Sequence, residues 1–343
     1  PNTGDRPAGR GLRRLAALGA ALAVLVTGAC GNPTANSSAG GAASTTAAPA
    51  GTETVVGEDV FLENALAFNG AVDWTASKTV RIELGEKLPE MFFKAEDVTL
   101  QAGIPYVLEL VNTGKITHEF TADKFFRSSS VRKIASENSE VRVPFFTEIE
   151  VLAGKTVQVF AIPVLPGRFE MLCRLPGHRE AGMEGTITVT GTAKGLPAPV
   201  LGSMNAGPWL QNGQELVDAA AATWDTKAKR VRIEAGEGGA TGMFFKPKEL
   251  VLKKDMPYVI ELVNVGTILH EYTADDFFPT VAFRKAQDAA GEYKSPLLRE
   301  AEVLAGKQLD LYLIPTKAGT FKIVCLLEGH ETAGMVGTIK VTP

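Results

Sequence analysis

The strongest constraint on what this chain can fold into is that it is written twice. Residues 91–126 align without a gap on 243–278, and 21 of the 36 pairs are identical. Met91-Phe92-Phe93-Lys94 matches Met243-Phe244-Phe245-Lys246, and Glu109-Leu110-Val111-Asn112 matches Glu261-Leu262-Val263-Asn264. The offset of 152 persists through Val151-Leu152-Ala153-Gly154-Lys155 and Val303-Leu304-Ala305-Gly306-Lys307. Upstream, Val80-Arg81-Ile82-Glu83 matches Val231-Arg232-Ile233-Glu234 at an offset of 151. Solenoid repeats recur every 20–50 residues. A period this long is a duplicated domain, and 343 residues are enough for two.

Each unit reads mostly as short strands. Val80 to Leu84 alternates, Val98 to Leu100 precedes a turn at Gln101-Ala102-Gly103, and Tyr106 to Asn112 follows. Glu148 to Val151, a turn at Ala153-Gly154 and Thr156 to Ile162 read as a hairpin. Phe169 to Cys173 and Thr186 to Thr190 flank a Gly-rich loop. Close-spaced strands with Gly and Pro turns indicate an all-β sandwich or barrel. Short helices are expected at Glu58–Val72 and Glu215–Trp224. Ser128–Val143 and its counterpart 280–296 are polar, and they read as irregular with one helical turn. The domain bounds expected are 55–193 and 211–343, with a Gly/Pro/Ala-rich linker at 194–210.

The amino terminus reads as a targeting segment. A basic region ends at Arg14, and Leu15 to Val26 is apolar for twelve residues, too short to span a bilayer and suited to a signal-peptide core. It ends in Thr27-Gly28-Ala29-Cys30. Residues 1–30 are therefore expected to be a signal peptide with a lipobox, lipidated at Cys30. The Ala/Gly/Ser/Thr stretch 31–54 cannot bury a core and reads as a flexible tether. Together they imply an extracytoplasmic, membrane-anchored lipoprotein of a bacterium, or else plain secretion. The net charge is −4; residues 1–30 contribute +3, so the remainder carries −7. That balance, without a basic stripe, argues against nucleic acid as a partner.

The chemistry lies in one motif, also duplicated. Cys173, His178 and Met183 are five residues apart, as are Cys325, His330 and Met335. His118 and His270 precede their cysteines by the same distance. The chain has four histidines, all in this pattern, and three cysteines, of which Cys30 alone lies outside it. One thiolate, two imidazoles and a weak thioether form the ligand set of a blue-copper site. Zinc accepts Cys and His but not usually a thioether. A Cys173–Cys325 disulfide would consume both sets. Gly177, Gly182, Gly329 and Gly334 stand immediately before His and Met. There the loop must turn its side chains around one point, and glycine adopts the angles this needs.

On these residues each unit resembles a cupredoxin of the plastocyanin/azurin superfamily. The Asn-x-Gly followed by His-Glu-aromatic, Asn112 to Phe120, fits as well. The spacing of Cys, His and Met resembles that of rusticyanin and auracyanin. The resemblance implies two tandem Greek-key β-sandwiches and two type 1 copper ions. It implies His118, Cys173 and His178 as equatorial ligands with Met183 axial, and His270, Cys325 and His330 with Met335 axial. Many small blue-copper proteins have Asn after the first histidine; here it is Glu119 or Glu271. An apolar port is expected around the loop histidine, with Leu175 and Pro176 beside His178 and Leu326 and Leu327 beside His330. The leading functional expectation is single-electron transfer between redox partner proteins of a respiratory or similar chain. The alternative is copper binding, delivery or tolerance. A copper oxidoreductase of the nitrite reductase or multicopper oxidase type needs a further centre held mainly by histidines, and all four are already committed. The chain is therefore expected not to be an enzyme.

Overall fold

The computed structural model describes residue 57 and residues 59–205, 210–238 and 242–343. The signal peptide, Cys30 and the whole of the tether lie outside the described residues. None of the described helices is long and apolar enough to cross a membrane.

Each half places one sheet against another. In the first half the spatial order of one sheet is Glu90–Lys94, Lys78–Lys87, Tyr106–Asn112, Thr156–Pro163, Ser129–Ala135 and Ser139–Arg142. The second half repeats it as Gly242–Lys246, Lys229–Gly238, Tyr258–Asn264, Gln308–Pro315, Val281–Gln287 and Gly291–Lys294. Alternation drives these strands inward on one face: Ile82, Leu84, Leu108, Leu110, Val157 and Val159 are all fully buried. The facing strands of the first half are Gly167–Leu172, Glu184–Thr190 and Asp97–Gln101, with His118–Phe120 and Glu148–Val151 beside them. Those of the second half are Glu249–Lys253, Val336–Thr342, Gly319–Val324, His270–Thr273 and Glu300–Val303. Phe93, Phe120 and Phe126 fill the space between the sheets, with ring centroids 5.8 and 6.1 Å apart.

The two halves are not beads on a linker. Ser139–Arg142 pairs antiparallel with Glu300–Val303, and Glu148–Val151 pairs antiparallel with Gly291–Lys294. Each sheet of one half thus continues into the opposite sheet of the other, and the junction obeys the internal repeat. This overturns the expectation for Ser128–Val143 and 280–296, which are hairpin strands. Their polar residues pair partly within each hairpin and partly across the junction. Lys133 and Lys285 bind Glu140 and Glu292 across their own hairpins at 2.5 Å. Ser136 and Ser139 of the first half donate to Asp288 of the second at 2.6 and 2.5 Å. The helical turn precedes the first hairpin, at Asp123–Arg127.

Around the first unit, Val60–Leu62 pairs with Leu201–Ser203, so part of the stretch read as a linker is a strand. The helix expected at Glu58–Val72 is confined to Ala65–Ala71; the one expected at Glu215–Trp224 falls at Gly213–Ala221, with a further turn at Trp224–Lys227.

Candidate metal centres

Each centre is assembled from one strand start and one loop. His118 and His270 open the short strands His118–Phe120 and His270–Thr273. Asn112 ties the approach to His118 down by donating to Ile116 O and Val151 O, both at 2.8 Å, and accepting from Gly114 N. Asn264 repeats this with Ile268 O, Val303 O and Gly266 N. Cys173 and Cys325 follow the strands ending at Leu172 and Val324. The loop then closes on itself: Met183 N donates to His178 O and Cys173 N to Met183 O. Gly177 and Gly182 have φ of 83° and 104°, and Gly329 and Gly334 have 81° and 99°, the left-handed angles the loop was expected to need.

The side chains converge. Cys173 Sγ lies 3.3 Å from His178 Nδ1, which lies 3.3 Å from His118 Nδ1. In the second centre Cys325 Sγ is 3.2 Å from His330 Nδ1. In each set the three ligand atoms lie within 4.8 Å of one another. A first-row ion with bonds of about 2.0–2.3 Å holds its ligand atoms roughly 3–4 Å apart. The two histidine rings stand 5.2 and 5.3 Å apart at 64° and 63° in the two centres, so the arrangements are near copies. Met183 and Met335 are fully buried in the same loops. Both cysteines are free thiols, which removes the disulfide alternative.

These residues fit a metal on their own evidence. His270 Nδ1 is buried without a hydrogen-bond partner, an arrangement a bound ion would resolve. Burial pushes both thiols up, so each is protonated until a cation displaces the proton. Glu119 N and Glu271 N donate to the sulfurs at 3.4 and 3.3 Å and would stabilise the thiolate once formed. Burial, and then the neighbouring imidazole, holds His178 below its usual range; burial does the same to His270. Both rings are therefore neutral at pH 7, as ligation requires.

The Glu that replaces the expected Asn still braces the loop in the first half. Glu119 accepts from Arg174 N at 3.3 Å and from Thr121 Oγ1. In the second half Glu271 accepts from Thr273 Oγ1.

Two residues escaped the sequence reading. His118 Nε2 lies 2.8 Å from Glu86 Oε2, and His270 Nε2 lies 3.0 Å from Glu237 Oε1. Burial raises the Glu86 carboxyl, but donation from Lys115 N and the His118 ring outweighs it, and the net shift is downward. Donation from Thr267 N likewise holds Glu237 down. Their signal was present in the repeat: Gly85-Glu86 matches Gly236-Glu237 at the upstream offset of 151.

Two carboxylate trios lie beside the centres, Glu119/Glu148/Glu150 and Glu271/Glu300/Glu302, with Glu119, Glu271 and Glu302 buried and the others half-buried. Each contains a cation from the other half. Lys294 Nζ lies against Glu148 and 3.3 Å from Glu150; Arg142 lies against Glu300 and 2.6 Å from Glu302. Burial, with Glu292 and Glu119 nearby, pushes Glu150 up to about 7, and burial pushes Glu300 up to about 7. The trios are thus served by the protein's own cations. A cavity of about 350 Å³ lined by Arg132, Arg142, Arg299, Asp275 and Glu300 also lies at this junction, and its lining includes none of the histidines.

At the surface, His178 and His330 are 9% and 8% exposed, while His118, His270 and both cysteines are fully covered. Of the four residues expected at the port, Pro176 and Leu326 are exposed, whereas Leu175 and Leu327 are partly buried and pack on the core. Arg174 and Glu328 are also exposed, and the loops differ further at Arg179 against Glu331 and Glu180 against Thr332.

No protein-family model matches the chain. It is similar to the copper-resistant cuproprotein CopI of Vibrio cholerae, 29% identical over 112 residues, and to that of Rubrivivax gelatinosus, 28% over 117 residues. Each match takes in 33% of this chain, and 65% and 67% of the relative, so the chain spans about two thirds of the length of these relatives. Among solved structures it resembles the copper nitrite reductase of Thermus scotoductus, with 13% identity, a TM-score of 0.29 and coverage of 78% of this chain and 62% of that one. It also resembles a multicopper oxidase of Campylobacter jejuni, with 10% identity, a TM-score of 0.31 and coverage of 81% and 65%. Likeness at this level carries no argument about activity. By its own strand order the chain is an all-β protein of two cupredoxin-like sandwiches in tandem.

Proposed function

We propose that the protein is an extracytoplasmic copper protein that holds one copper ion in each half and serves copper tolerance. The observation that carries this is the repeated convergence of one thiol and two imidazoles within 4.8 Å, with a fully buried methionine in the same loop. His118, Cys173 and His178, with Met183, would hold the first ion; His270, Cys325 and His330, with Met335, the second. Copper would supply one-electron chemistry and a strong affinity for thiolate and imidazole. The name copper-resistant cuproprotein, borne by both curated relatives, supports tolerance ahead of dedicated electron carriage. The amino-terminal pattern ending at Cys30 supports an extracytoplasmic place, anchored by lipid.

Electron transfer stands as a second reading, because one specific observation favours it. In each centre the loop histidine alone reaches the surface, next to exposed Pro176 or Leu326, giving an electron a short route to a partner. The likeness to rusticyanin and auracyanin, which points the same way, rests on loop spacing alone.

The readings separate in one comparison. Cells making the chain with Cys173→Ser and Cys325→Ser together should lose copper tolerance relative to cells making the unsubstituted chain. Purified copper-loaded protein should pass copper to a chelator or an apo-acceptor. Full tolerance with the doubly substituted chain would contradict the proposal. Metal retention with fast electron exchange would move the function to the electron-carrier reading.

A further inference from the structure

We propose that Glu86 and Glu237 are positioning residues of the two centres: each fixes the tautomer of its first histidine and places negative charge on that ring, biasing the site toward oxidised copper. The inference rests on the copper reading of the centres. The two carboxylates occupy equivalent places near the ends of Lys78–Lys87 and Lys229–Gly238, and each faces the loop that leads to the histidine.

Both oxygens of each carboxylate are already accepting. Glu86 Oε1 accepts from Lys115 N at 2.6 Å, and Oε2 lies 2.8 Å from His118 Nε2. Glu237 Oε2 accepts from Thr267 N at 2.9 Å, and Oε1 lies 3.0 Å from His270 Nε2. An ionised carboxylate only accepts, so the proton sits on Nε2 and the lone pair on Nδ1. Those are the ring atoms that face the cysteine and the second histidine. The unpartnered Nδ1 of His270 is what this tautomer predicts. A glutamine offers one acceptor where two donors arrive, so it cannot reproduce the arrangement.

The loop is shaped for the carboxylate. A Cβ at Gly114 would overlap Glu86 Oε2, and one at Gly266 would come within 2.6 Å of both Glu237 oxygens. Both are the Gly of the Asn-x-Gly motif, so part of that motif is space for the acid. A carboxylate on the far nitrogen makes a ligand imidazole more basic. The added charge favours the doubly charged ion over the singly charged one. The Glu86 side chain is 9% exposed and that of Glu237 is 32% exposed. Water screens the second more, so the first centre should feel the larger effect.

The test uses the full chain with one centre silenced: Cys325→Ser to read the first, Cys173→Ser to read the second. Copper is added, and the potential is followed through the thiolate-to-copper absorption band. In the first-centre background, Glu86→Gln should weaken binding of oxidised copper about 10–100-fold. It should lower the ratio of oxidised to reduced copper affinity about tenfold, which is about 59 mV upward for one electron. Gly114→Ala, which pushes the carboxylate away without deleting it, should shift the potential the same way. Glu237→Gln should act in the second-centre background, and by less. Glu86→Gln in the second-centre background should change nothing, which separates a local role from damage to the fold. Copper bound at an unshifted potential in both Glu86→Gln and Gly114→Ala would overturn the assignment, leaving Glu86 a loop brace. A missing band in the unsubstituted chain would overturn the copper reading itself, and this inference with it.

Discussion

The two centres share their inner residues and differ in what surrounds them. Ring spacing and ring angle agree within 0.1 Å and about one degree between halves. Around them, the first half has Arg174, Pro176 and a well-covered Glu86; the second has Leu326, Glu328 and a more exposed Glu237. Beside them, the first trio is served by Lys294 and the second by Arg142. Duplication has therefore preserved the geometry that selects a metal and let the electrostatics diverge. Two sites of one kind with different potentials are the expected product. They also differ in the surfaces they present.

The largest test breaks the equivalence outright. Cys173→Ser and Cys325→Ser should each abolish one thiolate band and leave the other at full strength, read as absorbance per copper bound. If either substitution removes both bands, the centres are not independent. Next in size is pH. Burial keeps both thiols protonated through neutral pH, so copper uptake must expel one proton per site. Affinity should rise about tenfold per pH unit between about pH 7.5 and 8.5 at both centres. The buried imidazoles of His178 and His270, already neutral there, add nothing to the slope. A flat profile would mean that the thiols are not ligands.

A third test sharpens the contrast beside the centres. Arg142 serves Glu300 and Glu302, and the Glu302 side chain is only 4% exposed. Glu150 and Glu300 are both pushed up to about 7, so each trio can shed one charge; the cations differ, because burial lowers the ammonium of Lys294, which serves Glu148 and Glu150. Arg142→Ala should therefore cost about 2–4 kcal/mol in urea unfolding at pH 8, and Lys294→Ala about half of that. Equal losses would show that the trios are electrostatically alike. The smallest expected effect is at the port. Glu328→Pro, which copies Pro176, should raise the potential of the second centre alone by roughly 30 mV, the size of one charge about 10 Å away at an effective dielectric near 40. Equal potentials before and after would remove Glu328 from the account.

Much of this was legible in the chain, for identifiable reasons. Tyr106–Asn112 and Glu148–Val151 are strands over the residues their patterns indicated, because alternation and flanking turns are local signals. The eight positions proposed as ligands could be singled out because Cys, His and Met recur at one spacing and no histidine is left over. The hairpins at Ser129–Arg142 and Val281–Lys294 were not legible. Several of their polar residues, Ser139, Arg142 and Lys294 among them, find partners in the other half, and pairing across 150 residues leaves no local trace. Glu86 and Glu237 were hidden for a related reason. A carboxylate in a polar strand end looks like any solvated acid until the fold brings the histidine to it.

In the proposed function each half holds one copper ion through its own cysteine. The most direct measurement is a copper titration of the full chain followed by visible absorption and electron paramagnetic resonance. Saturation is expected at two equivalents per chain, with an intense thiolate-to-copper band growing linearly to that point. Saturation without the band, or uptake of zinc in preference to copper at both centres, would contradict the proposal.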